Sequence, residues 1–314
     1  MTSVCYAIWS PPLMNWIAGA LASTLLFSIV SILDKRLVSN LFPNFATFNI
    51  TFALLQFFIA AVFFVGVVPT VGFDGGGGIV WAAASGLLWA GGLSLIFYGL
   101  SIEEVSRVAP MQSVTPVFTA LIAVAFFDDV VTLVQWIAIL VIVGAAVMIN
   151  LRRVNGRFRI ARGRAFVVLM AAALVLAMAF IVSDEATDRM NIWATQGFRA
   201  LFMGLGILAF AWRPERMQVV IHTLRNPRTA LMMFMTEGIL GPIAALSFVY
   251  ALSVGPVSLV TTVAAVRPLS VLIISAALST PVWYFLDEPL DRETIALKVT
   301  STVLIVGGVI ALGL

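Results

Sequence analysis

Two stretches of this chain share one pattern: residues 98–106 read YGLSIEEVS and residues 250–258 read YALSVGPVS. The offset of 152 residues (from 98 to 250) continues without a gap through Pro116 and Pro268, and eight of 21 aligned positions are identical. Shared valine and leucine mean little in an apolar chain, but aligned tyrosine, serine and proline are informative. The sequence therefore predicts two related halves.

The composition indicates that the repeat lies in a membrane. Apolar residues make up 61% of the 314 positions and charged residues 11%, against about 45–50% and about 25% in soluble domains. One water-soluble core of this length cannot hide that excess, so much of the apolar surface must face lipid. The net charge of +3 is small, and we expect no nucleic-acid partner.

Several other classes of protein are excluded by the residues that are missing. The single cysteine, Cys5, excludes an internal disulfide and a cysteine-based zinc site. The first 34 residues contain no Lys or Arg, and a cleaved secretory signal needs a positive start, so we expect none. Neither Gly-x-x-x-x-Gly-Lys nor His-Glu-x-x-His occurs, and we expect no cofactor and no metal site.

Ten apolar runs are long enough for membrane helices, because a spanning helix needs about 20 mostly apolar residues. Only helices and closed barrels satisfy backbone groups in lipid, and these runs are too long for barrel strands. We predict an all-α integral membrane protein with spans at residues 15–33, 45–68, 79–99, 106–127, 133–150, 165–183, 194–211, 229–252, 258–280 and 294–314.

The repeat and the spans together predict the domain organisation. A first five-helix repeat covers residues 15–150, an Arg-rich connecting loop covers 151–164, and a second five-helix repeat covers 165–314. Five is an odd number, so the second repeat must be inverted relative to the first. Inverted repeats are a transporter architecture whose substrate site lies near the midplane, between the repeats.

The basic residues predict the orientation in the membrane. Of the 18 Lys and Arg, 15 lie in the loops after the odd-numbered spans or within the first five residues of the spans that follow those loops. The opposite side holds Arg189, with Arg199 just inside the seventh span, and Arg267 lies within the ninth. The positive-inside rule places the Arg-rich side in the cytoplasm. We therefore expect a multi-pass protein of the inner (plasma) membrane with both termini facing outward.

The sequence resembles the drug/metabolite transporter superfamily, specifically its EamA-like branch. The first half carries Tyr-x-Leu-Ser at 98–101, Ser106-x-x-x-Pro110 and Ser113-x-x-Pro116, and the last span ends in Gly307-Gly308. The resemblance covers nearly the whole chain and implies ten helices in two inverted repeats, with transport as the function. Its motifs are specific for the superfamily and poor for the substrate.

Three features depart from the family pattern. The family's acidic turn usually reads Gly-Glu, but the first half has Asp128-Asp129. The second half has Leu286-Asp-Glu288, which resembles that turn, and inserts residues 280–283 before it. Most family members keep both termini in the cytoplasm, so the resemblance and the charge count disagree on topology. We follow the charges, because the bias between the two sides is large.

Arg267 and Glu237 are the leading candidates for substrate binding. Arg267 lies about 14 Å into its span at 1.5 Å per residue. An arginine there costs about 2.5–3.5 kcal/mol on insertion scales and normally faces a cavity or a partner. Glu237 lies at similar depth in the preceding, antiparallel span. Arg267 would then hold a substrate carboxylate or phosphate and Glu237 a proton, with a structural ion pair as the alternative.

Polar neighbours complete the predicted site. Pro116 and Pro268 free backbone carbonyls at repeat-equivalent positions, as in the broken helices of transporter binding sites. Each neutral polar side chain there could equally form an ordinary interhelical hydrogen bond. The further candidates for substrate binding are Gln112, Ser113, Thr115 and Ser85. For Arg199 we expect snorkelling to the interface or a structural pair rather than ligand binding.

The expected function is secondary transport by alternating access, as an exporter of a small organic metabolite such as an amino acid or a related anion-bearing solute. Its partners would be that solute and membrane lipid, and a homodimer is compatible with the sequence. One alternative is a lipid-carrier flippase of the same fold, which predicts a lateral opening. The other is a lipid-modifying enzyme with a magnesium site at residues 184–188, a stretch that we interpret as a solvated outer loop instead.

Overall fold

The structure is a computed structural model. It describes residues 11–71, 76–126, 132–149, 151–154, 157–160, 163–254, 260, 263–279, 285–286 and 292–312. The acidic turns at 128–129 and 287–288 and the insertion at 280–283 lie outside these residues. The helices are α1 (Pro11–Arg36), α2 (Phe45–Val62), α3 (Ile79–Ile102), α4 (Val105–Gln112 and Thr115–Phe126), α5 (Leu133–Met148), α6 (Gly163–Arg189), α7 (Ile192–Ala211), α8 (Pro227–Met233 and Gly241–Val254), α9 (Val263–Leu278) and α10 (Arg292–Leu312).

The all-helical membrane fold is confirmed. Eight helices among the described residues are long and apolar enough to cross a membrane, and the two shorter apolar helices, α5 and α9, occupy the remaining predicted spans. Three π-helical segments extend or join the α-helices: Leu37–Leu41 continues α1, Phe63–Val67 continues α2, and Phe234–Leu240 joins the two parts of α8.

The connections differ from the sequence prediction in two places. The segment 151–164 is not a plain loop, because strands β1 (Leu151–Val154) and β2 (Arg157–Ile160) pair there as an antiparallel hairpin. A linking helix, Pro214–Leu224, precedes α8, with Pro214 in its first turn. Proline suits that position because its missing N–H would be unpaired there anyway.

The contacts between helices are those expected if a two-fold axis relates the two repeats. The relation exchanges α1 with α6, α3 with α8 and α4 with α9. Accordingly α3 packs on α6 and α8 packs on α1, while α4 packs on α6 and α9 packs on α1. The pairs α2–α7, α5–α10 and α4–α9, which the relation maps onto themselves, are in contact too.

Helices α4 and α9 are broken at equivalent positions, next to their aligned prolines. In α4 the helix is interrupted at Ser113 and Val114, and in α9 it is interrupted at Val266. Val114 and Val266 are separated by the same offset of 152 residues, and each is followed two positions later by a proline. The prolines lack the N–H that would continue the helix. The broken helices predicted from the sequence are therefore present.

The first span is longer than predicted. The sequence placed its end at residue 33, but α1 runs to Arg36 and the π-helical segment carries it to Leu41. The charged run Asp34-Lys35-Arg36 thus lies inside the helix. Asp34 is only 5% exposed, so the longer span adds a buried carboxyl group to the interior.

Candidate functional site

Arg267 sits at the break in α9, where the second half of the helix, Arg267–Leu278, begins. One of its Nη atoms donates to the hydroxyl of Ser31 on α1 at 2.6 Å, and its guanidinium lies over the Phe27 ring, 5.0 Å from the centroid. Its Nε–H is buried and has no hydrogen-bond partner among the described residues. The guanidinium is therefore positioned by α1 and keeps one donor free.

Two carboxyl groups meet next to this arginine. Asp34 on α1 and Glu237 on α8 are 5% and 8% exposed, and their side chains interact with each other. The π-helical segment that carries Glu237 packs against α1, and Arg267 contacts Ser31, about one turn before Asp34 on that helix. The charge of Arg267 acts on Asp34. Asp34, Glu237 and Arg267 thus form one charged cluster, which we call the acid–arginine cluster.

The predicted direct pair of Arg267 with Glu237 is replaced by an arrangement of three residues. Among the described residues, no ion pair joins Arg267 to Glu237; the carboxyl group that the arginine charge acts on belongs to Asp34. Asp34 was not among the predicted site residues, because the predicted first span ended at residue 33, directly before it. Apolar residues on both sides of the charged run, Leu33 and Leu37, were the signal that the helix continues.

The backbone around Glu237 is unusual. Glu237 lies in the π-helical segment Phe234–Leu240, within α8. Such segments are rare and occur frequently at functional sites, because the wider turn redirects side chains. Thr236 in the same segment is fully buried, and its hydroxyl has no hydrogen-bond partner among the described residues. The π-helical turn therefore brings a carboxyl group and a free hydroxyl into the interior.

The predicted polar residues of α4 make local contacts around their helix break. Thr115 donates to the Gln112 carbonyl at 2.7 Å, and the Ser113 hydroxyl lies 3.5 Å from the Ala109 carbonyl. These contacts occupy both hydroxyl groups within α4. Gln112 is half-buried, and the second half of α9, which begins at Arg267, packs on the first half of α4.

Ser85 does not join the acid–arginine cluster. It is fully buried and donates to the Ala179 carbonyl of α6 at 3.1 Å. The repeat relates Ser85 to Glu237, and the two side chains bridge equivalent interfaces: α3 to α6 in one case and α8 to α1 in the other. In the first repeat that interface is held by a neutral hydrogen bond, whereas in the second it holds two carboxyl groups.

Arg199 makes a structural contact inside the bundle, the second of the two roles expected for it, rather than snorkelling to the interface. Its guanidinium lies 5.3 Å from the centroid of the Trp89 ring, and one Nη atom is 3.5 Å from the Ser183 hydroxyl. Trp89 lies ten residues into α3, or about 15 Å from that helix end, and is not at the membrane interface. The attraction of the indole face for a cation holds the guanidinium inside instead.

Charged residues at the Arg-rich ends of the helices form a second cluster. One carboxylate oxygen of Glu104 accepts from Arg107 Nε at 3.0 Å and from Lys298 Nζ at 2.8 Å. The side chains of Arg107 and Lys298 are 1% and 2% exposed, and Arg107 also donates to the Ile149 carbonyl. Lys35 donates to carbonyls at the end of α3. We call Lys35, Glu104, Arg107 and Lys298 the Arg-side cluster. The sequence had predicted its three cations to lie at the loop side of the helices and not in a buried contact.

The stretch 184–188 lies in the last turns of α6 and not in a loop. Glu185 pairs there with Arg189 on the surface. Among the described residues, no group of three or more His, Cys, Asp or Glu side chains is arranged to hold a metal ion. The spacing that resembled a magnesium motif is accounted for by an exposed ion pair one helical turn apart.

Two apolar grooves lie on the outside of the helical bundle. One, of about 240 Å³, runs between α5 and α10 and is lined by residues that include Ile137, Val141 and Gly308. The other, of about 230 Å³, lies between α1 and α9 and is lined by Ile29, Ile32, Leu33, Ile274, Leu278 and Phe285. The second groove borders the same two helices that carry Asp34 and Arg267.

Comparison with known proteins agrees with this architecture. No curated relative matches the sequence. A crystal structure of another protein superposes with a TM-score of 0.51 at 15% sequence identity, covering 95% of this chain and 96% of that chain. The profile of the EamA-like transporter family matches residues 14–151 and again residues 163–314, once for each repeat. The chain therefore belongs to the EamA-like transporter family, a family of multi-pass membrane transporters.

Proposed function

We propose that this protein is a secondary transporter that exports a small organic metabolite with an anionic group, such as an amino acid, through the inner membrane by alternating access. In this proposal Arg267 receives the anionic group of the solute. A secondary transporter is driven by existing concentration gradients. Net export therefore requires a solute that the cell concentrates in its cytoplasm.

The observation that carries the proposal is the free, buried Nε–H of Arg267 at the start of a half-helix. A buried donor without a partner is costly, and a solute carboxylate or phosphate would satisfy it. The N-terminal end of a half-helix carries a partial positive charge that favours the same anion. Transporters use half-helix N-termini in this way at their substrate sites.

Alternating access is supported by the two-fold packing and the paired helix breaks. Two related halves that contact each other through α4 and α9 can rock about the breaks at Val114 and Val266. The Arg-side cluster joins residues of α1, α3, α4 and α10 at one end of the bundle. Opening that end requires these contacts to separate, so the cluster is the expected closure on that side.

The proposal is tested by comparing the metabolites in the medium of cells that express wild-type protein, Arg267→Leu or no protein. We expect a small set of anion-bearing solutes to accumulate outside only with the wild type. Arg292→Leu is the matched control, because it removes an exposed arginine at the start of α10. If Arg267→Leu exports as well as wild type at equal membrane abundance, Arg267 does not bind the solute.

The groove between α1 and α9 favours one alternative, a lipid-carrier flippase. All six of its lining residues are apolar, and an acyl or prenyl chain could lie there while a phosphate reached Arg267 on the same helices. The same cell comparison decides between the two functions when the lipids of the outer and the inner leaflet are measured separately. A change in lipid distribution without exported solutes would favour the flippase.

A further inference from the structure

We propose that Asp34 and Glu237 take up one proton when an anionic group binds to Arg267, so that the solute and a proton cross the membrane together. The inference rests on the proposed function, since it takes Arg267 as the receptor of the anion. It adds the coupled ion, which the family and the fold leave open.

The empty site holds two buried carboxyl groups and one arginine. Two ionised carboxyl groups would leave one negative charge without a counter-charge, which is strongly unfavourable at this depth. With one proton on the pair, the acid–arginine cluster is neutral. Both carboxyl groups are more than nine-tenths buried, and neutrality is what makes a charged group tolerable at this depth.

The other charged groups near α1 are engaged elsewhere. The charged groups that act on Asp34 are Glu237 from α8 and Arg267 from α9. Lys35, the next residue along α1, donates to the carbonyls of Leu100 and Glu103 on the side of α3. From α4, Arg107 is held by Glu104 and by the Ile149 carbonyl. The cluster must therefore balance its own charge.

Binding of a monovalent anion to Arg267 breaks this balance. Arg267 would then be compensated by the solute, and the remaining negative charge on the carboxyl pair would have no counter-charge. A buried charge without a partner is strongly unfavourable. A second proton on the pair restores neutrality, and no other charged group needs to move.

The structure provides a place for that proton. Asp34 Oδ1 is buried and has no hydrogen-bond partner among the described residues. It is a free acceptor on one of the two buried carboxyl groups. The step is a simple protonation: a hydronium ion from the water on the loading side gives its proton to the carboxylate, and the proton leaves to water on the other side when the anion leaves Arg267.

The number of protons carried depends on the net charge of the solute. A monovalent anion carries one proton with it, and the loaded cluster stays neutral throughout. A zwitterion brings no net charge and carries no proton. Coupled transport of a monovalent anion is therefore electroneutral and insensitive to membrane potential.

The experiment uses purified full-length protein in proteoliposomes loaded with a deproteinised extract of small cell metabolites. The liposomes are diluted into weakly buffered medium that contains a membrane-impermeant pH dye, and released solutes are identified by mass spectrometry. Protein-free liposomes correct for acids that leak. A potassium gradient with valinomycin sets the membrane potential to either sign.

We expect wild type to acidify the medium by one proton for each monovalent anion released, at a rate that the potential does not change. The double variant Asp34→Asn/Glu237→Gln has no carboxyl group left in the cluster and should lose the proton signal, and any remaining release should follow the potential. Each single variant, Asp34→Asn or Glu237→Gln, keeps one carboxylate that balances Arg267 in the empty site and takes up a proton when the anion binds, so it should keep the signal. Asp34→Glu should keep it too. Retained coupling in the double variant would overturn the inference.

The two proposals fail in different ways in this assay. Release of anions from wild-type liposomes without acidification, at a rate that follows the potential, overturns proton coupling and leaves the transporter function standing. Absence of any released solute from wild type overturns the proposed function. Because the wild-type measurement decides both questions, the outcome does not depend on whether a variant folds.

Discussion

Arg267 donates a hydrogen bond of 2.6 Å to the hydroxyl of Ser31, across the interface between α9 and α1. The Phe27 ring covers the guanidinium from the same helix, one turn away. A charged donor bound to a neutral hydroxyl keeps its full charge, so this contact fixes the position of the guanidinium without neutralising it. Ser31 is thus a positioning residue for the proposed anion site.

Replacing Ser31 by alanine should weaken solute binding. The lost hydrogen bond to a charged group is worth about 1.5–3 kcal/mol, so we expect KM for the exported solute to rise by about tenfold or more, with little change in the maximal rate. Ser23→Ala is the control, because Ser23 is also buried on α1 and lies about 12 Å further along the helix. An equal rise in KM in both variants would show that the effect is not specific to the guanidinium.

The charge balance within the acid–arginine cluster predicts a rescue. Arg267→Gln leaves the buried carboxyl pair without its counter-charge, and Asp34→Asn/Glu237→Gln leaves the buried arginine without one; both changes destabilise the fold and should lower the amount of folded protein in the membrane. The triple variant with all three substitutions should restore the amount and not the transport. Abundance is measured by fluorescence-detected size exclusion of a fusion protein. Recovery of transport in the triple variant would mean that the cluster is purely structural.

The fold could be predicted from the sequence because each of its determinants is local or periodic. Span length follows from runs of apolar residues, and the inverted relation follows from an odd number of spans in each repeat. The helix breaks follow from Pro116 and Pro268, because a proline lacks the N–H that would continue the helix. These properties need no knowledge of which helices touch.

The candidate site was only partly predictable, because its pairs are remote in sequence. Glu104 and Lys298 form one ion pair but are almost two hundred residues apart, and a sequence shows each only as a charge near a helix end. Asp34 was missed for a related reason: Asp, Lys and Arg in succession are typical of a loop. They remain in the helix here because Lys35 and Arg36 find carbonyl acceptors on other segments.

The close approach of α3 and α7 predicts a strict requirement for glycine at position 86. A Cβ atom there would lie 2.6 Å from the Arg199 carbonyl oxygen and 3.0 Å from Phe202 Cβ. The nearest obstacle is backbone, so the helices must separate. Gly86→Ala should therefore lower the stability by about 1–3 kcal/mol.

Gly91 on the same helix provides the matched control for Gly86. The nearest atom to its added Cβ is Val175 Cγ1 at 3.7 Å, an ordinary contact. Gly91→Ala should be neutral or stabilise the helix by up to about 1 kcal/mol. The thermal unfolding midpoint in detergent measures both variants, and an equal midpoint for the two would contradict the packing of α3 on α7.

The Arg-side cluster predicts an unequal effect of two glutamate substitutions. Glu104→Gln removes the carboxylate that contacts both Arg107 and Lys298, and breaking a buried ion pair costs about 3 kcal/mol or more. Glu185→Gln removes an exposed pair with Arg189, which is worth less than about 0.5 kcal/mol. Thermal unfolding of both variants is the measurement, and a similar loss in the two would argue against the buried network.

The orientation of the chain in the membrane is predicted from its basic residues, and the structure changes how much each of them counts. Arg107 and Lys298 are buried next to Glu104, so they contribute less to the positive-inside bias than free loop residues do. The bias then rests on the remaining cations of the Arg-rich side, chiefly those of the hairpin 151–160 and the stretch 213–228, and it still exceeds the opposite side. The Arg-rich side should face the cytoplasm.

A reporter that is active only in the periplasm should therefore be active when fused after Leu314 and inactive when inserted between β1 and β2. The reverse pattern would place both termini in the cytoplasm, as in most members of the family, and would show that the charge bias does not set the orientation of this chain.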